Sequence, residues 1–229
     1  MKEGLIERVH GLGYWRVNIR PLRAPASLLT LAQCREVVAK SSVSLRGWDY
    51  PHISKRNDEQ GGIENAGDFV QGWCDWHYHI EFWRMYKSTQ FLHYKALRED
   101  LADDIAGKPR GPSFGVGTSV YTMTELVEFA FRLFRTGLYK DGAQIHVTIG
   151  NTRERQLWID DPMRMAFSYP RKTAAPKIEV QRELTAADFE TEPMDISSEM
   201  VVELFDHFGW TVDRGRLQDD QARFYKRQF

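Results

Sequence analysis

The chain has 229 residues, of which 42% are hydrophobic, 28% charged and 13% aromatic, and its formal net charge is −1. These are globular values, and the length suits one large domain over residues 1–229 with a substantial core. No apolar run approaches the roughly 20 residues of a membrane helix. The charged start "MKEGLIERVH" does not read as a signal peptide. Two cysteines, Cys34 and Cys74, are too few for a disulfide framework or a four-thiolate zinc site, so the cytoplasm is the expected compartment.

The near-neutral total conceals an asymmetry. Residues 1–57 carry ten Lys/Arg against four Asp/Glu, or +6, and residues 179–229 carry six against twelve, or −6. A basic face could draw a phosphate backbone or an acidic partner. The two ends could equally attract each other, within one chain or between copies, which is the plainer reading.

In chain order, "YWRVNIRPL" (14–22) alternates Trp15, Val17 and Ile19 with Arg16, Asn18 and Arg20, the pattern of a half-buried strand. "LLTLAQCREVVAK" reads as a helix with Leu31, Cys34 and Val38 along one side. "VSLRGWDYPHI" (43–53) reads as a strand ending at Pro51. "SKRNDEQGGIENAG" follows as a long exposed loop, of a length uncommon unless mobile or functional. "CDWHYHIEFWR" (74–84) fits strand alternation from 74 to 82 better than a helix. "EFWRMYK" and "QFLHYKAL" form a hairpin around Ser88-Thr89.

The glycine-rich run "GPSFGVGTS" (111–119) lacks the lysine of a P-loop and reads as a lead-in to the helix "YTMTELVEFAFRLFRTG". Thr122 with Glu125 suggests a capping box for that helix, and Gly137 its C-terminal cap. "AQIHVTI" and "RQLWID" suggest a hairpin across "GNTR", and "KIEVQREL" a further strand. A helix opening near Ser197 buries Val201, Leu204, Phe205 and Phe208 and stops at Gly209, with a short closing helix after it. Hairpins with three or more packed helices and no regular βαβ alternation point to α+β, with an antiparallel or mixed sheet.

Three groups of residues could carry chemistry. Arg46, Trp48, Asp49 and His52 could line a ligand pocket, offering charge, a stacking face, an acceptor and a titratable ring; the plainer alternative is a strand end with buried aromatics. His77 and His79, on one strand face with Glu81, could be part of a metal site. Same-face neighbours lie about 6.8 Å apart, so Asp75 and Glu81 cannot share an ion, and a third ligand such as His52 must come from elsewhere. His93 falls on the apolar-facing side and is a poor choice. A solvated polar face explains the same residues without a metal. Arg16 and Arg20, with Arg23 just beyond, could hold phosphates, although most basic strand faces are simply solvated.

No G-x-S-x-G elbow, H-E-x-x-H or kinase signature occurs, and no Asp or Glu stands two residues before a lysine. Nucleophilic catalysis therefore has weak support. The runs "SLRGWDYPHI", "EFWRMYKSTQFLHY" and "ELFDHFGW" resemble a family of uncharacterised bacterial proteins over most of the chain. That resemblance implies glycine at the position of Thr89, and membership of multi-gene systems that include anti-phage defence. It assigns no catalytic residue.

The first expectation is a non-catalytic binding or regulatory subunit of an intracellular bacterial multi-protein system, with a protein partner or a second copy and no membrane. The alternatives are a metal-dependent hydrolase using His77 and His79, for which a divalent metal would be the cofactor, and a nucleic-acid-binding module using the basic N-terminal strand. No organic cofactor is expected.

Overall fold

A computed structural model describes residues 1–102 and 104–227. Seven antiparallel strands form the main sheet: β1 (Tyr14–Pro21), β2 (Gly61–Ala66), β3 (Phe69–Trp76), β4 (His79–Tyr86), β5 (Phe91–Ala96), β7 (Ala143–Gly150) and β10 (Lys177–Leu184). Their spatial order is β10-β7-β1-β5-β4-β3-β2. Three short strands, β6 (Ser113–Gly115), β8 (Gln156–Trp158) and β9 (Arg171–Lys172), make a second sheet in the order β6-β8-β9. The helices are α1 (Leu5–His10), α2 (Leu31–Ser41), α3 (Val116–Arg135), α4 (Pro193–Asp206) and α5 (Arg214–Tyr225). The fold is α+β, and among the described residues no helix is long and apolar enough to cross a membrane.

The register places Trp15, Val17 and Ile19 beside Phe91, His93 and Lys95, and these beside Glu81, Trp83 and Met85. This face packs beneath α2, α3 and α4 to form the main core. On the other face, α1 covers one corner with Leu5 and Val9 over Trp73, Ile80 and Phe82. Strand β4 is therefore buried on both faces at Ile80–Trp83, which hides the two-residue alternation expected of an antiparallel strand.

Several local expectations change. Residues 74–82 are not one strand. They are the ends of β3 and β4 with Trp76 paired to His79 and a two-residue turn between them, where His77 takes φ +47°. A histidine–tyrosine pair is not a favoured hairpin turn, so the reversal left no signal. Residues 43–53 are a loop closed by one bridge between Val43 and Tyr50, not a strand. The supposed long loop contains the edge strand β2, whose glycines fit because a Cβ on Gly62 would lie 2.6 Å from the Trp73 ring.

Helix α3 starts six residues before Thr122, so Thr122 and Glu125 are interior and form no capping box. The cap comes from Asp160, whose carboxylate accepts from Gly117 N (2.5 Å) and Thr118 N (2.8 Å). The glycine-rich run is thus partly helix. Cβ atoms on Gly115 or Gly117 would lie 2.6 and 3.0 Å from that carboxylate. Strands β7 and β8 do not pair, because β8 joins β6 and β9 instead. Arg155, just before β8, is buried and bonds Asp100 through both terminal nitrogens at 2.7 Å.

The hairpin between β4 and β5 does form, and Thr89 takes φ +67° there, a conformation glycine adopts without strain. The strands at Tyr14–Pro21 and Lys177–Leu184 and the helices around Cys34, Val201 and the C-terminal run also form.

Gly72 faces Trp83 across β3 and β4, and a Cβ there would lie 2.5 Å from the indole. Gly72→Val should cost about 1–3 kcal/mol, the usual penalty for overpacking a core. The urea midpoint should fall accordingly, and an unchanged midpoint would mean that the ring has room to move.

Candidate functional site

The loop between α2 and β2 is tied down at five places. Arg132 Nη1 donates to Ser42 O (2.6 Å), and Val43 bridges Tyr50. Arg46 binds the buried Glu125 carboxylate (2.6 Å) and donates to Thr122 Oγ1 (3.1 Å). Trp48 Nε1 donates to Glu81 Oε1 (2.8 Å), and Trp83 Nε1, lying over Gly72, donates to His52 O (2.8 Å). The helix-interior pair Thr122 and Glu125 therefore serves this loop.

Trp48 is stacked against two histidines. The His52 and His79 ring centroids lie 3.9 and 3.8 Å from its own, at interplanar angles of 16° and 12°. Two rings so close to one centroid fit only on opposite faces, so Trp48 is sandwiched. Beneath the stack, Glu81 is buried with both oxygens engaged, Oε1 by Trp48 and Oε2 by His93 Nε2 (2.8 Å). His93 Nδ1 lies 3.2 Å from the Tyr50 hydroxyl.

Burial opposes the charge on Glu81. The hydrogen bond from His93, the nearby charge of Lys95 and the Trp48 N–H outweigh it and hold the carboxyl well below the usual range. Burial also lowers the His93 pKa, and burial with the charges of Glu81 and Glu125 raises that of Tyr50. The consistent arrangement is an anionic Glu81 and a neutral His93. His93 then donates from Nε2 and accepts the Tyr50 proton at Nδ1.

Lys95 sits directly across from Glu81 in the β4–β5 register. Lys95 makes no hydrogen bond or ion pair with any described residue, although it is half-buried. Burial lowers its pKa, against the raising charge of Glu81. It borders a cleft of about 370 Å³ together with Arg46, Trp48, Tyr78, His79 and Glu99. Glu99 is buried; its Oε1 accepts from Gly115 N (2.7 Å), while Oε2 has no partner. Clefts of about 480 and 460 Å³ lie elsewhere. The one beside Lys95 is where buried titratable groups converge, a common mark of a functional site.

Of the residues expected to line a pocket, Arg46 and Trp48 do so; His52 lies behind Trp48, and Asp49 is half-buried off the cleft wall. His77 is exposed at the turn, away from the Glu81 network, and His79 is in the stack. Among the described residues, no group of three or more His, Cys, Asp or Glu is arranged to hold a metal ion. Arg16 and Arg20 lie on the sheet face opposite the core, where Arg20 Nε donates to Gln144 Oε1 (2.9 Å). Arg23 is exposed, 3.9 Å from Asp141. Cys34 and Cys74 are buried free thiols, and burial pushes Cys74 up to about 12, so it stays protonated.

Glu81, His93, Lys95 and Glu99 were not recognised from the pattern as a cluster. A turn centred on Ser88-Thr89 puts His93 on the side of Phe82 and Arg84, but the actual register, shifted by one residue, pairs His93 with Trp83 and Lys95 with Glu81, so His93 lies on the Glu81 face and its expected placement is corrected. No protein-family model, curated protein or solved structure matches this chain. The geometry alone carries the functional argument.

Burial, then the charge of Lys95, pushes the His79 imidazole down to about 4 from the ordinary 6.5. A histidine held neutral in this way favours folding fully above about pH 6.5, and that contribution is lost as pH falls through about 4. Urea midpoints should therefore fall across this window. In His79→Phe, which keeps a flat ring on Trp48, they should fall less; an equal slope would remove His79 as the cause. Glu81→Ala should cost about 3–5 kcal/mol, as for one partner removed from a buried charged network. Denaturation of this variant and of Glu81→Gln, which keeps the shape, would measure it. Full stability in Glu81→Ala would contradict the network.

Proposed function

We propose that this protein binds a small anionic organic molecule in the cleft beside Lys95 and acts as a non-catalytic binding or regulatory component. The carrying observation is that Lys95 is half-buried, borders the cleft and has no hydrogen-bond or ion-pair partner among the described residues. The charges of Glu81, Glu125 and Glu99 reach it only at a distance, and an incoming anion would supply the direct, charge-assisted partner that it lacks. Tyr78 and His79 add flat surface on the same wall, which suits an anion attached to a ring.

A subunit role in an intracellular bacterial system, anti-phage defence included, is a proposal that rests on the sequence features alone. The metal-hydrolase and nucleic-acid readings have less support. His77 stands apart from the Glu81 network, and Arg16 and Arg20 lie on the face away from the cleft.

Phenyl phosphate and benzoate are simple probes. Ligand at about a hundredfold excess over its Kd stabilises a folded protein by about 2.7 kcal/mol, so binding should raise Tm. The shift should vanish in Lys95→Met while remaining in His77→Ala. A shift undiminished in Lys95→Met, or none with either anion, would sink the reading.

A further inference from the structure

The seven-stranded sheet ends in two edges, and they differ. Edge strand β2 is short, begins with Gly61 and Gly62, and is closed at its start by the bridge between Asp58 and Gly61. Edge strand β10 runs for eight residues, pairs with β7 along its whole length, and contains neither a bulge nor a proline. Natural sheets blunt an edge with a bulge, a proline, a very short strand, a covering element or charged side chains. On the far side of β10, no other strand bonds to its main chain among the described residues. One carbonyl, that of Gln181, accepts from Arg182 Nη1 (2.7 Å), and its oxygen has a second lone pair. Charge is therefore the one blunting device that β10 carries, and the order of the charges decides what they repel.

Ile178 and Val180 are buried in the core, while Lys177, Glu179, Gln181 and Glu183 are exposed on the sheet face that carries Arg16 and Arg20. Glu179 is paired within the chain with Lys177 Nζ (2.7 Å) and lies 3.3 Å from His146 Nε2. Glu183 accepts from the neutral Gln144 Nε2 (3.0 Å) and has no cation partner among the described residues. Two copies joined edge to edge about a twofold axis normal to the sheet present the same face, so opposed residues are both odd- or both even-numbered. Two such registers overlap most of the strand. Centred on Val180, the pairing sets Lys177 opposite the partner's Glu183 and Glu179 opposite the partner's Gln181. Centred on Gln181, it sets Glu179 opposite the partner's Glu183. Charges directly opposed on antiparallel strands attract or repel accordingly, so β10 is self-complementary in the first register and repels itself in the second.

We propose that β10 is the docking edge for a second copy of this chain, which continues the antiparallel sheet across a twofold axis at Val180. Main-chain hydrogen bonds between the two β10 strands supply the attachment. The two symmetry-related pairs of Lys177 with the partner's Glu183 set the register and give Glu183 the cation it lacks. The Lys95 cleft stays open in this dimer, since β7 and β1 separate β10 from β5.

Sedimentation equilibrium of the full chain tests this. One strand from each copy makes a contact of the small, reversible class, so the mass should be followed over about 5–500 µM. Lys177→Glu should weaken the dimer about tenfold, and so should Glu183→Lys, because each replaces two attractive contacts by two repulsive ones. The double variant Lys177→Glu/Glu183→Lys restores opposite charges and should recover the dimer. Both side chains are exposed, so these variants should fold, and their urea midpoints check it. Hydrogen exchange gives a second readout: alternate amides of β10 should exchange more slowly as the concentration of wild type or double variant rises. A monomer throughout the range, or a dimer indifferent to both single variants, would overturn the proposal. So would a double variant that dimerises no better than the single ones.

Discussion

The buried carboxylate of Glu81 is the constraint around which the site is organised. An ion so far from water must have its oxygens satisfied, and Trp48 Nε1 and His93 Nε2 do this from opposite directions in the chain. The first bond holds the loop that carries Arg46, Trp48 and His52 over the sheet. The second fixes the His93 tautomer and, through it, the Tyr50 hydroxyl. The lysine opposite feels the charge of Glu81 without a hydrogen bond to it. One buried charge thus orders the loop and faces a lysine that has no hydrogen-bond partner among the described residues.

That arrangement depends on glycine at two places. Gly72 lets the Trp83 indole lie flat on β3, where its N–H reaches the His52 carbonyl. Gly115 and Gly117 make room for the Asp160 carboxylate at the start of α3. Helix α3 in turn presents Glu125 and Thr122 to Arg46. The sheet supplies the buried acid and the lysine, the helix anchors the loop, and the cleft is what remains between them. These groups sit on regular elements and on a loop held at five points, which favours a preorganised site.

Strand β4 shows why polar residues at every second position can mislead. On a sheet with one solvated face, alternating His and Glu would point to water. Here α1 covers one face of β4 and the long helices cover the other, so Glu81 is buried among aromatics. The turn at His77-Tyr78 also reverses the chain within the run that seemed continuous. His77 is left at the tip, while His79 goes to the Trp48 stack.

Much of the fold was readable from local patterns. The strand with Trp15, Val17 and Ile19, the β4–β5 hairpin, the strand from Lys177 and the amphipathic helices form because side-chain periodicity and short-range turns favour them wherever a core is available. Arg46 and Trp48 stood out by composition and do line the cleft. The sequence could not reveal what depends on partners distant along the chain. Asp160 caps a helix that starts 44 positions before it, β8 leaves β7 for β6, and Glu125 pairs with Arg46 instead of capping. Sequence alone determined which segments could be strands and helices, because those preferences are local. Tertiary structure decided which charges were neutralised and which, like Lys95, were left unpaired, because that depends on which side chains the fold brings within hydrogen-bonding distance.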